Sequence, residues 1–81
     1  MSVKQLAFTG ISRAKYAAAQ TEIYDQAKVA LKGDSGEDLV EGVKISWVFN
    51  EAAQTLSVTC DGFFSGVAAG KIKALIEGIR A

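Results

Sequence analysis

Two stretches of this chain alternate apolar and polar residues with a period of two. Val43, Ile45, Trp47 and Phe49 alternate with Lys44, Ser46, Val48 and Asn50, and Leu56, Val58 and Cys60 alternate with Thr55, Ser57, Thr59 and Asp61. Successive side chains of a strand point to opposite faces, so each run predicts a strand with one buried face. Asn50-Glu51-Ala52-Ala53-Gln54 lies between them as a turn, and the pair predicts an antiparallel hairpin with a loop of about four to five residues.

Two other stretches repeat with the period of a helix. Ser12 is suited to cap a helix reaching about Lys32, with Tyr16, Ala19, Ile23, Ala27 and Ala30 on one face. Lys28 and Lys32 would complement its dipole, and Gly33 suits the position just beyond its end. Asp61-Gly62 ends the second strand of the hairpin. Phe63 and Phe64 then lead into a helix from about Ser65 to Arg80, with an apolar stripe of Ala68, Ile72, Leu75, Ile76 and Ile79.

Two segments carry weaker patterns. Leu6 and Phe8 alternate with Gln5 and Ala7, so Val3 to Phe8 suits an edge strand; a helical turn ending at Gly10 fits nearly as well. Gly33 to Gly42 holds three glycines and four carboxylates with no base, which predicts a solvated loop in which Leu39 and Val40 tuck one turn onto the core. The expected fold class is α+β. One small domain, residues 1–81, runs in the order β-α-β-β-α, with an antiparallel sheet of two to three strands and both helices packed on one face.

Composition narrows the function classes. A chain of 81 residues has a thin core, and 49% of its residues are hydrophobic, so apolar surface to spare is expected. Nine basic and nine acidic residues cancel. No overall field draws the chain to nucleic acid or to an anionic membrane, and little repulsion opposes self-association. There is no histidine, and Cys60 is the lone cysteine, so neither a histidine-assisted nucleophile nor an intramolecular disulfide can be built. No run approaches the roughly 20 apolar residues of a membrane span, and the first eight residues lack a signal-peptide core, so a cytoplasmic protein is expected.

Five constellations could carry chemistry or binding. Cys60 near the start of the last helix could be a reactive thiol, but its alternation with Leu56 and Val58 buries it as packing. Gly10, Ser12, Arg13 and Lys15 open the first helix with a hydroxyl and two bases, a weak candidate anion site without the spacing of a phosphate-binding motif. Asp34, Glu37, Asp38 and Glu41 do not match a calcium loop, and no metal or cofactor is expected. Gly66, Gly70, Ala74 and Gly78 form a stripe of small residues, and each helical glycine costs roughly 0.8–1 kcal/mol relative to alanine. Close packing is expected to offset that cost, against the alanines of the first helix or as a candidate interface with another subunit. The outer hairpin face of Lys44, Ser46, Val48, Ser57 and Thr59 lacks the aromatics of an RNA-stacking platform. The chain thus reads as a non-enzymatic protein-binding or adaptor module that self-associates into a homo-oligomer. A structural subunit of a larger assembly is the alternative, and a small-anion-binding protein or thiol enzyme ranks third.

Overall fold

The computed structural model describes residues 2–80. Six elements follow in the order β1 (Ser2–Phe8), α1 (Arg13–Ala27), β2 (Ser35–Val40), β3 (Val43–Asn50), β4 (Thr55–Gly62) and α2 (Ser65–Arg80). The strands form one antiparallel sheet in the spatial order β1-β4-β3-β2. The architecture is therefore α+β as expected, but with four strands rather than two or three, in the order β-α-β-β-β-α. Val3 to Phe8 takes the strand alternative, as an edge paired along β4.

The added strand is β2, within the segment read as a solvated loop. Its inward positions are Gly36, Asp38 and Val40, so no apolar alternation marks it. Each has a local reason. Gly36 lies opposite Trp47, and a Cβ there would stand 3.0 Å from the indole edge. The Asp38 carboxylate accepts a hydrogen bond from the Ala30 amide at 3.2 Å. Val40 pairs with Val43 across a two-residue turn, Glu41-Gly42, in which both residues have positive φ, 51° and 80°. That geometry matches the right-handed twist of a hairpin.

The first helix ends at Ala27, about a turn before the position its periodicity suggests. Lys28 adopts the left-handed conformation and its amide donates to the Tyr24 carbonyl at 3.0 Å. The reason lies in the next three residues. Val29 falls on the outward face of a continued helix, whereas an extended segment buries both Val29 and Leu31. The Gln20 side chain then donates to the Leu31 carbonyl at 2.6 Å, fixing that segment against the helix.

The core lies between the inner sheet face and the two helices. Val43, Ile45, Trp47 and Phe49 of β3 and Leu56, Val58 and Cys60 of β4 are buried, as their alternation requires. Tyr16, Ala19 and Ile23 of α1 and Ala69, Ile72 and Ile76 of α2 cover them. Tyr16 stacks on Phe49 with ring centroids 4.2 Å apart, and its hydroxyl donates to the Gly33 carbonyl at 2.7 Å. Burial pushes the Tyr16 pKa up, with Asp34 adding to the effect and Arg13 opposing it. The buried Nε1 of Trp47 has no hydrogen-bond partner among the described residues.

Candidate functional site

Where α1 ends early, the helices and sheet leave a gap. An apolar cleft of about 470 Å³ opens between the end of α1, the β2–β3 turn and the first turns of α2. Val29, Val43, Ile45 and Ile72 form its buried floor. Phe64 and Val67 stand on its rim, 65% and 72% exposed, and Phe63 beside them is 87% exposed. The alternation of β4 runs out at Gly62, whose φ of 145° redirects the chain, so two adjacent phenylalanines cannot both turn inward. The α2 positions that reach the core are Ser65, Ala69, Ile72 and Ile76, and Val67 is out of phase with them. Lys28, Lys71, Glu41 and Gln26 supply the polar groups of the mouth.

The candidate interface of Gly66, Gly70, Ala74 and Gly78 lies on the exposed face of α2. Close packing against the alanines of the first helix is not found at Gly70 or Gly78, where an added Cβ would meet no atom within 4 Å. Gly66 faces only the end of the Lys4 side chain, at 3.9 Å. The buried positions of α2 lie on a neighbouring face, at Ser65, Ala69, Ile72 and Ile76. Ala74 and Gly78 border a shallow groove that Ala18 and Thr21 of α1 complete.

The weak anion site is built differently from its sequence reading. Ser12 caps α1, accepting the Lys15 amide at 3.2 Å, and Gly10 adopts positive φ in the turn before it. Arg13 does not aim its donors outward. It makes a forked pair with Asp34 at 2.7 and 2.9 Å, donates from Nε to Glu51 at 2.8 Å and lies over the Phe49 ring. Hydrogen bonds donated to Asp34, then to Glu51, raise the Arg13 pKa, and Arg13 in turn lowers that of Asp34. Lys15 donates to the Arg80 carbonyl at 3.3 Å. Arg13 thus ties the segment before β2 and the turn after β3, which lie at the same end of the sheet, to the start of α1.

Cys60 is fully buried and burial raises its thiol pKa, the opposite of nucleophile activation. Of the acidic segment, Asp34 pairs with Arg13, Glu37 with Lys44 at 2.9 Å, and Asp38 with backbone amides. Among the described residues no group of three or more potential ligands is placed to hold a metal. No helix is long and apolar enough to cross a membrane. The outer sheet face carries Lys44, Ser46, Val48, Ser57 and Thr59, joined by Gln5 and Ala7 of β1 and Ser35 and Glu37 of β2. No family model, curated protein or solved structure matches the chain at a significant level.

Proposed function

We propose that this domain is a non-enzymatic protein-binding module that self-associates through the start of α2. The observation that carries the reading is the exposure of Phe63, Phe64 and Val67 within five residues. At about 200 Å² per aromatic side chain, the two phenylalanines alone leave roughly 300 Å² of ring surface in water. With Val67 the patch reaches the roughly 300–600 Å² that often marks a functional surface. Two such patches, face to face, bury about 800 Å², so a stable dimer of about 1,200 Å² or more must also enlist the rim residues Lys28, Glu41 and Lys71. Their mixed charges suit a two-fold contact, in which a lysine of one copy can meet the glutamate of the other. Zero net charge leaves this approach unopposed. The single buried cysteine, which requires no oxidising compartment, supports placing the module in the cytoplasm.

A structural subunit of a larger assembly is the second reading. It is favoured by the sheet, whose edges β1 and β2 are both available for strand addition. Light scattering after size exclusion separates the two. A concentration-dependent dimer abolished by Phe63→Ser with Val67→Ser supports the module. Open-ended growth that these changes leave intact supports the assembly subunit, and a monomer at millimolar concentration refutes self-association.

A further inference from the structure

The geometry points to a second role for the cleft: a binding site for an anionic amphiphile, with the acyl chain on the apolar floor and the acidic head at Lys28 and Lys71. The cleft, at about 470 Å³, falls within the roughly 300–1,000 Å³ of small-molecule sites, which are mostly apolar with a few convergent polar groups. Its interior is built from Val29, Val43, Ile45 and Ile72, which offer a long apolar tail contact but no hydrogen bonds from their side chains. That volume leaves room for a medium-length alkyl chain.

The mouth decides the sign of the head group. Two lysines and one glutamate border it, a balance of one positive charge. Among the described residues neither Lys28 nor Lys71 is in an ion pair, whereas Lys44, Lys73 and Arg13 are. Lys28 instead lies 5.8 Å from the Tyr24 ring centroid, a contact that holds the ammonium near the end of α1 without neutralising it. The start of α2 borders the same mouth and adds the positive end of a 16-residue helix. The end of α1 opposes it with a negative one, and Lys28 sits at that end as its cap. Glu41 would repel a carboxylate, so the head group belongs on the lysine side, where the Gln26 amide can also donate. The cleft shares Phe64, Val67, Lys28, Glu41 and Lys71 with the self-association surface, so an amphiphile and a second copy compete for it, and dilute protein favours the amphiphile.

The test uses decanoate, decyltrimethylammonium and decanol, each below its aggregation or solubility limit, titrated into dilute wild-type protein with methyl resonances recorded. Decanoate is expected to bind with Kd below about 1 mM and to shift the methyls of Val43, Ile45, Val67 and Ile72. The cationic amphiphile of equal chain length should bind more weakly. Lys28→Gln with Lys71→Gln should weaken decanoate by about three- to tenfold, the range for two exposed ion pairs, while leaving decanol unchanged. Equal affinity for both charged amphiphiles, shifts confined to another surface, or no shift up to the solubility limit would each overturn the proposal. So would shifts of the cleft methyls that follow protein concentration alone, since a second copy would then be the occupant.

Discussion

The contact between Gly36 and Trp47 gives a direct check on β2, the strand that apolar alternation does not reveal. A Cβ on Gly36 would stand 3.0 Å from Cζ2 and 3.4 Å from Cη2 of the indole. Trp47 is only 3% exposed and lies between Gly36 on one strand and Val58 on the other, so the ring has little room to yield. Overpacking of this kind commonly costs about 1–3 kcal/mol. Replacing glycine within a strand returns roughly 0.5–1 kcal/mol of backbone entropy. Gly36→Ala should therefore destabilise the wild type by about 0.5–2 kcal/mol. In a Trp47→Leu background the indole edge is gone, and the same change should stabilise by roughly 0.5–1 kcal/mol. Trp47→Leu itself costs about 2–4 kcal/mol, which a domain of this size can survive at low temperature. The cycle is read by urea unfolding followed by circular dichroism, because Trp47 is the only tryptophan and fluorescence is lost with it. If Gly36→Ala stabilises the wild type as much as it stabilises Trp47→Leu, the two residues are not in contact and β2 is misplaced.

Three further expectations concern single groups. Gly70→Ala should raise stability by up to about 1 kcal/mol in thermal melts, because helix propensity acts there without steric opposition; a loss would show that the stripe is covered. Cys60 should react with a thiol reagent only at the rate of opening, and stability should decline as pH rises through its raised folded pKa, since the unfolded thiol ionises first. Cys60→Ala should remove that alkaline decline, and fast native labelling would contradict the burial. Asp34 has a lowered pKa, so its contribution is present at neutral pH and lost as pH falls through the folded value. The melting difference between wild type and Asp34→Asn should therefore shrink as the solution is acidified, and a difference independent of pH would refute the pairing with Arg13.

The elements legible in the sequence are those whose side chains report their burial. Trp47 and Phe49 mark β3, and Ile72 and Ile76 mark α2, because burial on one face repeats at the period of the element. β2 is illegible by the same rule: its inner face carries a glycine under an indole and an aspartate bonded to an amide, so pairing with β3 is what makes it a strand. The end of α1 was obscured by alanines, which suit a helix whether or not they are buried, and Val29 is the residue whose burial unwinds it. The glycine stripe misleads because four-residue spacing signals a close approach only if something approaches. Arg13 could be seen as a base at a helix start, but its partners Asp34 and Glu51 are 21 and 38 residues away. The Phe63, Phe64 and Val67 patch was in principle readable, since Val67 falls off the apolar stripe.

Self-association through that patch is the central claim, and amide chemical shifts recorded across a dilution series test it most directly. Between about 10 μM and 1 mM, a range that brackets weak dimers, the amides of Phe63, Phe64, Val67 and Lys71 and those of the turn at Glu41 and Gly42 should move together along one binding curve. The outer sheet face at Ser46 and Ser57 should stay still. Shifts that stay constant throughout, or that concentrate on the β1 and β2 edges instead, would contradict the account.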